Sequence, residues 1–367
     1  MYKKLFDMLI CPSCMNHHLK LIHTQMKEGE IWSGKILCEN CNRFYPIREG
    51  IPCLLNEEQL RAIDEAVLQK WLKTIKKIDD DVIDESQHIY KKFLKKKVVD
   101  ETIGEEAERL LWEKKLYIDN EQLRKELGEE RESKWAVAEK NIKIRNEYLF
   151  RFIKESEGYL EGKKILNVGP GTDSDIIERL ESNGITVINS DINLSPLMQL
   201  RAAKKRESVC SDLKSLPFND ELFDVVFCFH VIHHVHPVGT ALSEARRVLK
   251  PDGKIYITEI NTNHFISLQG KILPHGIKKL LRKCVRKYTG TNVRIYKASP
   301  YEQVIPSRLM FESLSKAGFT NITRKTASHP PMCFSDYFIS RWNKLGFRFP
   351  AIFNPIAFEY LYYGTKT

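Results

Sequence analysis

The 367-residue chain has no run of 18 apolar residues, so no membrane-spanning helix is expected. Its first ten residues carry Lys3 and Lys4, but their apolar stretch is short and broken by Asp7, so no secretory signal peptide is expected; the expected setting is cytoplasmic, either free or peripheral to the membrane. No internal repeat is present, and proline is missing from Glu57 to Ser133. That stretch is rich in Glu, Lys, Leu and Ile and reads as several amphipathic helices, residues 57–134 forming a helical linker or insertion. Acidic residues are fewer than basic ones, 48 against 58, for a formal charge of +10. This moderate excess suits nucleic acid or an anionic surface without singling out either. The length exceeds one average domain and points to two or three units.

Nine cysteines are present, four of them in two close pairs, Cys11-Pro-Ser-Cys14 and Cys38-Glu-Asn-Cys41. That pattern suits metal binding in a reducing compartment better than disulfides. A CxxC turn offers two thiolates to one tetrahedral ion, and two such turns complete a closed Cys₄ zinc site. The 23 residues between the pairs are expected to form a small hairpin around Lys27–Glu30, a spacing slightly longer than is usual. A unit of about 50 residues has too little core to fold without help, so the metal is read as structural. Cys53 is expected in the core rather than as a fifth ligand. The two pairs, with the following Tyr45-Pro46-Ile47 to Gly50-Ile51-Pro52 run, resemble the small zinc-ribbon family that includes an activator subunit of tRNA and protein methyltransferases. The resemblance covers about residues 5–56, and the ribbon is placed at 1–56.

A second constellation runs from Ile165 to Gly253. A strand-like run ends in the turn Asn167-Val168-Gly169-Pro170-Gly171-Thr172-Asp173. A glycine turn between strand and helix lets backbone approach a ligand closely, and the helix after it offers free N–H groups. Asp191 ends a second apolar run 20 residues after Gly171, where an acid can accept hydrogen bonds from ribose hydroxyls. Asp212 follows a third run, Glu207–Cys210, where an acid can receive an adenine amino group. Asp224–Phe229 is almost wholly apolar, as a strand covered on both faces should be. A nicotinamide fingerprint would want a glycine or alanine where Ser174 stands.

Together with Glu244–Ile255, these residues resemble the class I S-adenosylmethionine (SAM)-dependent methyltransferases of the UbiE-like type. The resemblance implies an α/β fold with a seven-stranded Rossmann-like sheet over residues 135–367. It implies SAM as cofactor, with Asn167, Gly169, Gly171, Asp173, Asp191, Asp212, Leu213 and Phe229 as its binding residues. The family usually has an acid at Asn167 and a third glycine at Asp173. Asn167 is expected to organise the turn by hydrogen bonding; Asp173 points away, bonds the cofactor's ammonium, or crowds its carboxylate.

Trp135–Glu157 reads as a helix covering the pocket through Ile142, Ile144, Tyr148, Leu149, Phe152 and Ile153. Pro306–Ala317 reads as a helix, and strands six and seven are expected near Gly318–Ile322 and Phe358–Tyr363. Substrate-capping insertions fall at about 262–300 and 328–355, the second rich in aromatic residues. Within the first, Gly276–Tyr288 has one apolar helical face amid basic residues, which suits either an anionic membrane surface or packing on the domain. Lys91–Lys97 is a basic run, read mainly as a solvated helix face.

Methyl transfer is an in-line displacement that rewards alignment, and oxygen or nitrogen acceptors often also need a base. The segment His230-Val231-Ile232-His233-His234-Val235-His236 follows the fourth strand and offers His230, His233 and His234 as base or substrate contacts. The expected activity is methyl transfer to oxygen, nitrogen or carbon of a small molecule of sugar, lipid or isoprenoid type. Two alternatives stand beside it: an RNA methyltransferase, and a non-catalytic binding module with a degenerate SAM site.

Overall fold

The computed structural model describes residues 1–81, 104–126, 146–147, 149–158, 161–171, 175–204, 206–261, 303, 305–327, 341, 344–346, 348–349, 352, 357 and 359–367. Asp173, Lys91–Lys97, Ile142, Ile144, Tyr148, the Gly276–Tyr288 face and most of the aromatic 328–355 segment lie outside them.

A short helix α1 (Lys3–Phe6) precedes four strands, β1 (Leu19–Lys27), β2 (Glu30–Cys38), β3 (Phe44–Arg48) and β4 (Ile51–Leu54). They form an antiparallel meander whose first hairpin turns at Glu28-Gly29. Helices α2 (Glu57–Ala62), α3 (Glu65–Asp81) and α4 (Glu105–Glu126) follow. Asn56 starts α2 through a reciprocal capping box with Gln59, which satisfies two helix-end donors at once.

The second half alternates strand and helix: β5 (Lys164–Val168), α5 (Asp175–Glu181), β6 (Thr186–Asp191), α6 (Leu194–Ala203), β7 (Ser208–Ser211), β8 (Phe223–Phe229), α7 (Val238–Val248) and β9 (Leu249–Ile260). Helix α8 (Ser307–Lys316), β10 (Phe319–Ala327) and β11 (Glu359–Lys366) complete it. Strands β5 to β9 pair in parallel, while β11 inserts antiparallel between β9 and β10. Burial on both faces explains why β5 and β8 are nearly continuous apolar runs. In α7, buried Val238, Ala241, Leu242, Ala245 and Val248 recur at helical spacing along the face that meets the sheet.

The expected seven strands are all present, in the order β7-β6-β5-β8-β9-β11-β10, but the sheet does not stop there. β4 pairs in parallel with β7, Cys53 opposite Cys210 and Leu54 opposite Ser211, so ribbon and second half share one eleven-stranded sheet. Closing the β7 edge this way removes a row of unpaired backbone groups. A second seam reinforces the first. Ile10 N–H donates to the Pro217 carbonyl at 3.0 Å and Asn219 N–H to the Met8 carbonyl at 3.1 Å. Arg201 of α6 makes an ion pair with buried Glu30 of β2 and donates to the Glu49 carbonyl at 3.1 Å. The hydrophobic core is accordingly continuous from Leu5, Ile36 and Tyr45 of the ribbon to Val226, Ile255 and Leu314.

The helical residues 149–157 differ from the pocket cover expected of them. Leu149 and Ile153 pack on the sheet with Phe227, Tyr256 and Leu361. α4 buries Ala107, Leu110 and Leu111 against Leu194 and Leu197 of α6 and Cys210 of β7, and Trp112 meets Trp71 of α3 edge-on at 5.1 Å. Among the described residues, no helix is long and apolar enough to cross a membrane.

Candidate cofactor crevice and metal centre

In an open parallel sheet, ligands bind outside the carboxyl ends of the strands where the strand order reverses. Here the reversal falls between β5 and β8, and the loops after both strands meet. Gly169 and Gly171 take φ of +63° and +55°, a region that favours glycine. The two glycines do different work. A Cβ at Gly169 would stand 2.2 Å from Cγ2 of Val231, so this residue lets the two loops touch. A Cβ at Gly171 would meet nothing within 4 Å among the described residues.

Asp191 stands at the tip of β6, its Oδ1 accepting the backbone N–H of Asn193 at 2.8 Å. Burial pushes its carboxyl up to about 7; the Asn193 N–H and His234 oppose this rise, and the Glu113 carboxylate adds to it. Asp212 follows β7 and is buried. Its Oδ1 accepts the Lys214 N–H at 2.9 Å, and its Oδ2 accepts Nε2 of buried Gln59 at 2.7 Å. Gln59 also donates to Glu106 Oε2 at 3.2 Å, and Lys214 Nζ donates to Glu106 Oε1 at 2.5 Å. Leu213 is buried beside this ring of polar groups, and Phe229 stacks on Phe227 with ring centroids 4.9 Å apart. Asn167 turns into the sheet, where its Nδ2 donates to Asn189 Oδ1 of the neighbouring strand at 3.2 Å. That bond organises the end of β5 without occupying the crevice. The crevice thus fits SAM: a glycine turn and two carboxylates, those of Asp191 and Asp212, lie along adjacent strand tips.

Each of the three histidines after β8 meets a carboxylate from a different element. Glu259 of β9 holds His233 twice, accepting Nδ1 at 2.8 Å and the backbone N–H at 3.2 Å. Glu113 of α4 lies 3.3 Å from His234 Nδ1. Glu359 of β11 lies 3.2 Å from His230 Nε2. His230 itself has φ of +57°, a strained backbone for a non-glycine residue of the kind that collects at functional sites.

The four ribbon cysteines converge, with their Sγ atoms all within 4.8 Å of one another. Cys14 and Cys38 are 3.5 Å apart, and Cys11 and Cys41 are 3.6 Å apart. Four thiolates on zinc at ~2.3 Å sit roughly 3.8 Å from each other, so the cluster needs only slight expansion to close on an ion. Tyr45 Oη lies 3.1 Å from Cys11 Sγ, the kind of outer partner that orients a metal ligand. Cys53 lies apart from this cluster, buried at the junction of β4 and β7.

Gln59, Glu106, Glu113, Glu259 and Glu359 escaped the sequence reading. The Asn56–Gln59 capping signal was the one local clue to any of them; the others depend on which helix or strand lies across the crevice.

This sheet order, glycine turn and pair of strand-tip acids have the form of a class I methyltransferase fold. Residues 166–257 match the family described as a methyltransferase domain, and residues 3–50 match the family described as Trm112p-like protein. An uncharacterized protein of Methanocaldococcus jannaschii is 37% identical over 76 residues, 21% of this chain and 32% of that protein. The ubiquinone biosynthesis O-methyltransferase of Pseudomonas syringae is 28% identical over 140 residues, 34% of this chain and 60% of that enzyme. A demethylmenaquinone methyltransferase of Corynebacterium efficiens is 27% identical over 171 residues, 44% of this chain and 72% of that enzyme. A SAM-dependent methyltransferase structure from Archaeoglobus fulgidus aligns with a TM-score of 0.41 at 19% identity, covering 60% of this chain and 94% of that one. The chain spans less than two thirds of the length of the first two of these relatives.

Proposed function

We propose that this protein is a SAM-dependent methyltransferase acting at oxygen, nitrogen or carbon of a small molecule, with a structural zinc ribbon built into its sheet. The observation that carries the reading is the row formed by the Gly171 turn, Asp191 and Asp212 across adjacent strand tips. Gly169 and Gly171 bring backbone to the cofactor, Asp191 accepts from its ribose, and Asp212 with Leu213 receives its adenine. Bound SAM supplies an electrophilic methyl group on a sulfonium; the chain's part is to orient both reactants and to take up a proton where the acceptor must lose one.

His230, His233 and His234 are the proton-accepting candidates. Each has a carboxylate beside it, and His233 is held at two points, because Glu259 accepts both its Nδ1 and its backbone N–H. The acceptor class is supported by relatives named for quinone methylation. The test is methyl transfer from labelled SAM to a panel of hydroxylated aromatic and prenylated acceptors; no transfer to any of them, with SAM bound, argues against this acceptor class.

A second reading, methylation of RNA, is favoured by the Trm112p-like match and the +10 charge. RNA binding through phosphate contacts must weaken steeply with salt, so a gel shift across a salt series separates the two. Binding that is absent or insensitive to salt removes the RNA reading.

A further inference from the structure

Between the ribbon and the sheet, helix α4 touches both sides of the crevice. The buried face of α4 packs on Leu194, just beyond Asp191, and on Cys210, two residues before Asp212. Polar residues on the same helix reach both sides of the crevice. Glu106 bonds Lys214 and Gln59 on the Asp212 side, and Glu113 reaches His234 in the loop after β8. Seven residues of helix cover ~10.5 Å, and the three strand spacings from β7 to β8 cover ~14 Å. α4 therefore reaches from the Asp212 side of the crevice to the loop after β8, and both Glu113 and its partner His234 act on the Asp191 charge.

Glu113, held at 3.3 Å from His234, brings a second carboxylate toward Asp191. Two carboxylates that share a half-buried crevice repel each other, and Glu113 is one of the charges that push the Asp191 carboxyl upward. A ribose edge presents two O–H donors, and an ionised carboxylate is purely an acceptor. Asp191 already takes backbone N–H groups from Asn193 and Gly171, so a second acid beside it matches the number of donors a ribose brings. A ligand rich in donors between the two acids turns a repulsive pair into a binding pair.

We propose that Glu113 is a cofactor-binding residue, its carboxylate accepting a hydrogen bond from the ribose edge of SAM beside Asp191. The cofactor pocket is then completed by a helix lying outside the methyltransferase domain. The inference rests on the reading that this crevice binds SAM.

The test is calorimetric titration of the full chain with S-adenosylhomocysteine and with its 2′-deoxy and 3′-deoxy counterparts, for wild type and Glu113→Gln. Hydrogen bonds to charged groups are worth roughly 1.5–3 kcal/mol, so Glu113→Gln is expected to weaken S-adenosylhomocysteine binding at least about tenfold. The same substitution should leave the affinity of one deoxy counterpart nearly unchanged, because the hydroxyl that Glu113 serves is gone. Glu113→Asp, which keeps charge and helix, should show the same selectivity for the deoxy ligand and guards against a folding defect in the first variant. An equal loss for all three ligands would reduce Glu113 to a support for His234 and overturn the proposal, as would no loss at all. Failure of wild type to bind S-adenosylhomocysteine would instead remove the methyltransferase reading beneath it.

Discussion

Cys53 and Cys210 are register partners in a parallel strand pair, the first on the ribbon strand β4 and the second on β7 of the methyltransferase sheet. Both are fully buried. Ile51, Leu54 and Leu55 beside them are buried as well, each contributing about 1.5–3 kcal/mol through burial of its side chain. The ribbon is thereby part of the sheet and shares its core.

Ribbon and methyltransferase sheet should therefore unfold together. Calorimetry is expected to show one cooperative transition for the full chain. Cys53→Lys would place an unpaired charge at this seam and should lower that single transition markedly, a destabilisation of the order of several kcal/mol. Two separate transitions, with only the smaller one moved by the substitution, would contradict the shared core.

The two glycines of the turn should respond differently to alanine. Gly169→Ala forces a Cβ against Val231 and should destabilise the fold by a few kcal/mol, with Val231→Ala restoring part of the loss. Gly171→Ala meets open space, so it should cost only about 1 kcal/mol of stability for its positive φ while weakening SAM binding. Thermal melts with and without S-adenosylhomocysteine distinguish these outcomes.

The raised carboxyl of Asp191 makes a prediction with a definite sign. Its folded value of about 7 lies above the ordinary 3.8, so its charged form is disfavoured in the free protein. The group costs no stability at pH below the ordinary value, and the penalty grows as pH rises to about 7 and then stays constant. Asp191→Asn should therefore stabilise the free protein above neutrality, by roughly 2 kcal/mol after allowance for solvent screening. The ribose needs the ionised carboxylate, so S-adenosylhomocysteine should bind more tightly as pH rises toward about 7 and release a proton on binding below it. Melting curves and calorimetry in buffers of different ionisation enthalpy check both halves.

Metal content follows from the thiolate cluster. Elemental analysis after gentle purification should give one zinc per chain, and Cys38→Ser should lose it and melt earlier, since a structural zinc contributes folding energy directly. Because the ribbon closes the β7 edge, that variant should also lose affinity for SAM. Substoichiometric zinc with an unchanged melt would contradict the structural role.

Much of this site is legible in the residues themselves. The glycine turn, the acids at strand tips and the paired CxxC knuckles are local patterns whose spacing reflects one strand, one turn or one ion. The joining of ribbon and sheet is not local. Ile51–Leu54 is apolar at every position and buried throughout, the mark of a strand covered on both faces, yet nothing in that run names β7 as its partner. Likewise Glu259, Glu359 and Glu113 reach the histidines only because β9, β11 and α4 end or cross beside the same loop. Asn167 is a partial case: hydrogen bonding at the turn is expected of it from the sequence, but its partner, Asn189 on the neighbouring strand, follows from the sheet pairing.

Titration calorimetry of the full chain with SAM and with S-adenosylhomocysteine tests the cofactor crevice directly. Both should bind saturably, one to one. No binding of either at about millimolar concentration, the upper end of the ordinary substrate range, would contradict that role for the crevice.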